Sequence, residues 1–349
     1  MTQRGQLAKM VLIVGTSFST DLHLGPLQDQ NRFMTMNSRW TPLLTLFAAI
    51  FAVLSFVEQG VALEITGHRG ASHDAPENTL VAVNLAWKRG ADSVEIDIYL
   101  SKDGHIVAIH DETTKRYGGP NRKVADQTLA ELKSLDVGRW KDKKFTGERV
   151  PTLSEVLATI PPGKRLFIEI KAGAEIIPEL KRVLKQSGRK PAEAALIGFS
   201  YKTMTAAKKV LPQHTAYWIV SVKRDKQTGV WSPGIDEMIQ KTKAANLDGL
   251  DLGNAPAVID RKYVRRVKRA GLGLYVWTVN DKNMARRLRD AGIDGITTDR
   301  PGWLRKALAE KQTRIDMEQS AGICQDDGRG DRANAPIPAE ETASAGAIP

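Results

Sequence analysis

From Leu63 onward, short runs rich in β-branched residues alternate with segments whose apolar positions recur at helical spacing. The strand candidates are Ile65–His68, Ser93–Leu100, Ile106–His110, Leu166–Lys171, Leu196–Phe199, Ala216–Val220, Gly249–Leu252, Leu274–Val279 and Gly295–Thr298. Between them, Thr79–Arg89, Thr203–Val210, Ile259–Ala270 and Lys282–Ala291 read as helices. Such alternation predicts an α/β fold with a parallel sheet.

The candidates number nine, one more than an eight-stranded barrel holds. Leu100 and Ile106 are joined only by SKDGH, in which Asp103-Gly104 is a hairpin turn signal. Parallel neighbours need a crossover of about a dozen residues, so this pair is expected to be antiparallel. Setting Ile106–His110 aside as a hairpin arm leaves eight parallel strands, and the predicted fold is a TIM (β/α)8 barrel. A doubly wound sheet fits less well, because no G-x-G-x-x-G turn follows the first strand.

The flanks read differently. An uncharged apolar run from Trp40 to Val57 follows Arg39 and leads to small residues around Gly60–Ala62. This is the layout of a signal peptide starting at an internal methionine, and the run is also long enough to be an uncleaved anchor. The expected organisation is therefore an upstream extension over 1–35 and a signal peptide or membrane anchor over 36–62. A catalytic barrel follows over 63–311, and a disordered tail rich in Ala, Gly, Pro and acidic residues over 312–349. Export to the periplasm or medium is expected, with membrane attachment through the N-terminal segment as the alternative. Residues 113–150, rich in Gly, Lys and Asp, read as an irregular functional loop or small subdomain above the barrel.

Composition adds two constraints. The 349 residues are 42% hydrophobic and 26% charged, with a net charge of +11 and a pI near 9.6. That balance suits anionic ligands without choosing among them. Cys324 is the single cysteine, so an internal disulfide framework is excluded. The basic stretch IDRKYVRRVKRAG has Tyr263, Val264 and Val267 as its apolar stripe. It reads as the solvated outer face of a barrel helix, and no nucleic-acid partner is expected.

Candidate chemistry sits on the strands. In SVEIDIYL, Glu95 and Asp97 share one face, while Val94, Ile96 and Ile98 share the other. If the carboxylates point inward, a hard divalent cation such as Mg2+ or Ca2+ is the simplest remedy for their repulsion. The alternative is an outward, solvated pair. RLFIEIKAG repeats the arrangement with Glu169 and Lys171 at a strand's C-terminal end, where barrel enzymes keep their active groups. His68 and His110 end strands and suit acid–base work near neutral pH. Arg69 offers a planar cation for phosphate or carboxylate, and Gly70 would let the backbone approach a ligand. His73 and Asp74 fit the loop better than the chemistry, and Asn78 or Thr79 suits a helix cap. The residues alone point to hydrolysis at an anionic centre and do not name a substrate.

Taken in order, HRGASHDAPENT, GADSVEIDIYLSKDGHIVAIHD, GERVPTLSEVL, LFIEIK, VWTVN and GIDGITTDRP resemble the glycerophosphodiester phosphodiesterase family. These stretches run from His68 to Pro301, nearly the whole expected barrel. The resemblance implies a TIM barrel with Glu95, Asp97 and Glu169 as ligands of one divalent cation. It implies His68 and His110 as the acid–base pair, Arg69 and Lys171 on the phosphate, and Trp277 as an aromatic wall of the substrate pocket. Glu77 would support the site from behind. The implied reaction converts a glycerophosphodiester to sn-glycerol 3-phosphate and an alcohol. The run TTKRYGGPNRK after Glu112 departs from the family's Leu-x-Arg-Thr-Thr-like pattern, with Arg116 nearest the arginine position.

Two rival readings make different predictions. A cyclising relative, resembling a sphingomyelinase D or a phosphatidylinositol phospholipase C, would leave a persistent cyclic phosphate. A non-catalytic binder of phosphate esters would have no use for both histidines and all three carboxylates.

Overall fold

The computed structural model describes residues 63–253 and 257–309. The apolar segment over 40–57 and the tail over 312–349 lie outside the described residues. Within them, the strands are β1 (Glu64–Gly67), β2 (Ser93–Leu100), β3 (Ile106–Ala108), β4 (Arg165–Ile170), β5 (Ala194–Gly198) and β6 (Ala216–Val220), followed by the short β7 (Lys223–Arg224) and β8 (Trp231–Ser232). The last three are β9 (Gly249–Gly253), β10 (Gly273–Trp277) and β11 (Gly295–Thr298). The helices are α1 (Leu80–Lys88), α2 (Leu129–Ser134), α3 (Leu153–Ala158), α4 (Ile177–Gln186), α5 (Tyr201–Val210), α6 (Ile235–Ala244), α7 (Arg261–Arg269) and α8 (Lys282–Ala291). A final helix covers residues 301–309. None of the described helices is long and apolar enough to cross a membrane.

Eight strands pair in parallel in the order β1-β11-β10-β9-β6-β5-β4-β2, and β2 pairs back to β1 to close the barrel. This is the expected (β/α)8 barrel. The extra arm is also as expected: β3 runs antiparallel to β2, with Leu100 opposite Ile106. The hairpin β7–β8 was not foreseen.

Alternation along the strands sorts side chains into two cores. Val94, Ile96 and Ile98 join Leu166, Ile168, Leu250 and Leu252 in the large cluster between sheet and helices. Phe167, Ile197, Ile219, Tyr217 and Tyr275 fill the barrel itself. Glu95 and Asp97 therefore point into the barrel, 2% and 1% exposed. The outward, solvated alternative is ruled out.

At the N-terminal end, Arg165 closes the barrel floor. Its Nε donates to Glu64 Oε1 at 2.8 Å, its Nη2 meets Glu64 and the Tyr275 hydroxyl, and that hydroxyl donates to Glu64 Oε2 at 2.8 Å. The Tyr275 ring needs Gly295 beside it, because a Cβ there would come within 2.5 Å of the ring.

Of the two expectations for residues 113–150, the small subdomain is the one the structure shows. These residues contain α2, started by a capping box between Thr128 and Glu131. Val107, Ile109, Tyr117, Val124, Leu132, Val137 and Val150 form a small core of their own. The segment is a subdomain beside the barrel mouth.

Candidate active site

The loop leaving β1 carries the first functional groups. His68 is tied to β11 by its backbone N–H, which donates to the Thr298 carbonyl at 2.9 Å. Its Nδ1 lies 2.7 Å from Asp299 Oδ1. Asp299 also accepts from Ser72 Oγ at 3.0 Å and from Asn280 Nδ2 at 2.5 Å. Burial would raise the Asp299 pKa, but these bonds, led by that from His68, hold it down at about 2. An ionised carboxylate only accepts, so the proton sits on His68 Nδ1. Nε2 is left facing the site, 4.0 Å from Glu95 Oε2.

His110 is mounted in the same way. Its Nδ1 lies 2.7 Å from Asp111 Oδ1, and Asp111 is fixed by Arg116 Nε at 2.6 Å. The Arg116 hydrogen bond is the main reason that Asp111 falls to about 2. Burial, with Arg69 and Lys171 nearby, lowers His110 below its ordinary value against the pull of Asp97. Arg116 Nη2 also donates to Glu77 Oε1 at 2.5 Å, and Arg69 Nη1 reaches the same oxygen at 3.1 Å. Glu77 thus anchors both arginines from behind.

The three carboxylates of β2 and β4 converge, each offering an oxygen within 4.8 Å of the others. Glu95 Oε1, Asp97 Oδ1 and Glu169 Oε1 are buried and accept no hydrogen bond. The second oxygens of Glu95 and Asp97 are tied back. Arg69 N–H donates to Glu95 Oε2 at 2.8 Å, and Asn78 Nδ2 donates to Asp97 Oδ2 at 2.8 Å. Arg69 Nε stands 3.3 Å from Asp97 Oδ2, and Lys171 Nζ faces two of the oxygens that accept no hydrogen bond, Asp97 Oδ1 at 3.5 Å and Glu169 Oε1 at 3.2 Å.

The charges are unequal in their effects. Burial and repulsion by Asp97 and Glu169 push Glu95 well above the carboxylate range. Burial and Asp97 raise Glu169 to about 7. Burial acts on Asp97 too, but Arg69 and Lys171 outweigh it and keep Asp97 low. Three hard oxygen donors, with orphaned lone pairs and surplus negative charge, fit a Mg2+ or Ca2+ ion.

The loop is shaped to make these contacts. Arg69 and Asn78 both adopt left-handed backbone conformations, with φ of 52° and 57°, and the Asn78 N–H donates to the Arg69 carbonyl at 3.0 Å. Non-glycine residues seldom sit there, and such positions cluster at functional sites. One sequence expectation needs correction and another is narrowed to one of its two candidates. Gly70 is required by α1, because a Cβ would lie 2.5 Å from the Ala82 carbonyl carbon; it gives no ligand approach. Thr79, not Asn78, caps α1 by accepting from Ala82 N–H. His73 and Asp74 pin the loop: His73 contacts Asp74 and Arg300, and Asp74 pairs with Arg89.

A cavity of about 200 Å3 opens above the carboxylates, with His68, Arg69, His110, Lys171 and Trp277 in its wall. Every residue singled out from the sequence for catalysis, cation binding or substrate contact is brought to this mouth, Asp97 lying directly below. Phe199 meets Trp277 edge-on at 5.5 Å and extends the apolar wall. The sequence reading missed Asp299, Asp111, Phe199 and Asp251. Asp251 lines the same cavity from β9 and is 3% exposed. Burial, then the nearby Glu169, pushes its carboxyl well above the ordinary range. A strict in-and-out count along GLDLG and ITTD would have placed Asp251 and Asp299 on the inner face.

Fold and site together define a TIM-barrel enzyme with a carboxylate cluster and two carboxylate-backed histidines at the C-terminal mouth. The comparisons with known proteins agree. The family model described as the glycerophosphoryl diester phosphodiesterase family matches residues 68–303. A glycerophosphodiester phosphodiesterase from Caldanaerobacter subterraneus subsp. tengcongensis is 34% identical over 69% of this chain and 95% of its own length. Among solved structures, an Oleispira antarctica phosphodiesterase in complex with the product sn-glycerol-3-phosphate is 30% identical. It covers 70% of this chain and 96% of its own, with a TM-score of 0.63. The Thermotoga maritima glycerophosphodiester phosphodiesterase is 28% identical over 70% of this chain and 97% of its own, with a TM-score of 0.56. The chain belongs to the glycerophosphoryl diester phosphodiesterase family.

Proposed function

We propose that this enzyme hydrolyses glycerophosphodiesters to sn-glycerol 3-phosphate and a free alcohol such as choline or ethanolamine. One divalent cation, Mg2+ or Ca2+, would be held by Glu95, Asp97 and Glu169, and His68 and His110 would exchange the protons. The observation that carries the reading is the trio of converging buried carboxylates, each with an oxygen that accepts no hydrogen bond, set between two histidines that each have one ring nitrogen bound by an aspartate. The product complex of the O. antarctica relative supports the substrate class.

The residues divide the work by position. Arg69 and Lys171 stand where they can neutralise the non-bridging phosphoryl oxygens and hold the ester in line. When bound, the cation adds Lewis-acid polarisation of the same oxygens. One histidine takes a proton at its free Nε2 from the attacking hydroxyl, which belongs to water or to the substrate's own glycerol; in the second case a water then opens the cyclic phosphate to sn-glycerol 3-phosphate. The other gives a proton to the departing alcohol. The fixed Nδ1 contacts keep both rings turned toward the reacting atoms. Phe199 and Trp277 make the far wall apolar.

The apolar segment over 40–57 supports an exported enzyme, periplasmic, secreted or anchored; fractionation of cells producing the full chain tests this. Activity is tested by release of sn-glycerol 3-phosphate from glycerophosphocholine and glycerophosphoethanolamine, with and without a chelator. Release that stops on chelation is expected. No release from any glycerophosphodiester would overturn the reading, and full release under chelation would overturn its metal dependence.

A further inference from the structure

We propose that Asp251 is a specificity-determining residue that, with the Trp277 indole N–H, grips a hydroxyl on the polyol half of the substrate. The inference deepens the function proposed above and rests on it.

The strand supplying Asp251 has little reason to carry a carboxylate. In β9, Leu250 and Leu252 face the helices and are fully buried, so Asp251 faces the barrel between Gly249 and Gly253. Barrel layers at such positions are ordinarily filled by branched apolar residues. Of its neighbours on the inner wall, Ile219 follows that rule and Tyr275 packs an aromatic ring into the same core. Asp251 breaks the rule. Its Oδ1 is buried without a hydrogen bond, and among the described residues it forms no ion pair. Burying an unpaired carboxyl is costly, so the position demands a partner that the chain itself does not supply.

Asp251 does not belong to the cation cluster, which Glu95, Asp97 and Glu169 make without it. Around the closed sheet, β9 stands opposite β2: in either direction, three strands separate them. The phosphate-binding cations Arg69 and Lys171 come from the β1 and β4 side. A phosphate placed against them leaves the organic part of the ligand to face β9 and β10.

The second observation concerns the neighbouring strand. Trp277 Nε1 is a buried donor with no acceptor, and Trp277 and Asp251 line the same cavity. Two adjacent strands thus present an unmatched acceptor and an unmatched donor to one cavity. A hydroxyl group is both, so it can accept from the indole and donate to the carboxyl. A methyl group can do neither. A second phosphate would be repelled. The chemistry that fits this wall is a small polyol.

The test is competitive binding to the full chain with three probes: sn-glycerol 3-phosphate, propyl phosphate and inorganic phosphate. Wild-type protein should bind sn-glycerol 3-phosphate roughly ten- to a hundredfold more tightly than propyl phosphate, the range for a hydrogen bond to a charged or desolvated group. Asp251→Ala should erase that preference while leaving propyl phosphate affinity within about twofold. Asp251→Asn, which still offers a carbonyl acceptor, should restore part of it. Equal wild-type binding of the two organic phosphates would overturn the proposal, whether or not the variants fold. So would Asp251→Ala weakening all three probes alike, the mark of a structural role. A wild-type preference without diester hydrolysis would instead count against the catalytic reading alone.

Discussion

The two ends of the barrel treat buried charge in opposite ways. On the floor, Arg165, Glu64 and the Tyr275 hydroxyl satisfy one another, and the guanidinium lies 4.6 Å above the Phe167 ring. At the mouth, three carboxylates crowd together with an oxygen each left over, and two cations stand within reach without balancing them all. Both ends are built from inward positions of the same strands: Arg165 and Glu169 share β4, and Tyr275 and Trp277 share β10. A closed ion-pair network holds the fold, whereas an open one costs stability and is kept for a ligand.

The contrast predicts a crossed pair of outcomes, and the largest lies at the mouth. His68→Ala and Glu169→Gln should each lower kcat/KM by about 10^3. Glu169→Gln should nevertheless leave urea stability at pH 8 equal to wild type or above it, since it removes a carboxylate that burial and Asp97 disfavour. A large loss of stability in Glu169→Gln would break the comparison. On the floor the signs reverse. Arg165→Leu strands Glu64 and should cost roughly 3 kcal/mol in denaturant unfolding, the penalty for opening a buried pair. The residual folded enzyme should keep kcat within about twofold, as Arg165 is remote from the phosphate.

A smaller effect links the mouth to pH. Glu169 has a folded pKa of about 7, above its ordinary 4.5. The folded state therefore binds more protons than the unfolded state between those values, and stability falls as pH rises through that window. Chelated protein should lose melting temperature from pH 5 to pH 8. Mg2+ or Ca2+ competes with the proton, so its stabilising shift should be larger at pH 8 than at pH 5.5. A cation-induced shift of the same size at both pH values would remove the link between Glu169 and the cation.

How much of this was legible beforehand depended on whether a signal lay within one short stretch. Glu95 with Asp97, and Glu169 with Lys171, announce themselves because period-two spacing puts both members on one face. The hairpin arm was legible through Asp103-Gly104 and the short loop. Asp299 was not, because its meaning comes from His68, 231 positions away along the chain. Asp251 stood alone among leucines and glycines, with no second polar residue to form a pattern. Asn78 looked like a helix cap because its residue type is right for one. Only the fold shows its side chain turned onto Asp97, with Asp97 N–H donating back to Asn78 Oδ1 at 3.0 Å. The core of the 113–150 subdomain joins five of its own apolar residues to Val107 and Ile109 of the hairpin arm, with no common period, so no window of sequence displays it.

The smallest expected effect concerns the histidine supports, and it separates position from charge. Asp299 is held at about 2 by hydrogen bonds from His68, Asn280 and Ser72, against an ordinary 3.8. A carboxylate depressed in this way contributes stability that is fully present above pH 3.8 and lost as pH falls through about 2. Asp299→Asn should therefore flatten the acid limb of the stability curve between those values while changing stability at pH 7 only modestly. The amide has a second consequence at the mouth. Asn presents a donor or an acceptor to His68 Nδ1, so it no longer obliges the ring to carry its proton there, and Nε2 is protonated in a fraction of molecules. Turnover should fall by about ten- to a hundredfold, less than for removal of the ring itself. If Asp299→Asn kept full turnover while His68→Ala lost it, the carboxylate would be a loop anchor, and the symmetry with His110 and Asp111 would carry no catalytic meaning.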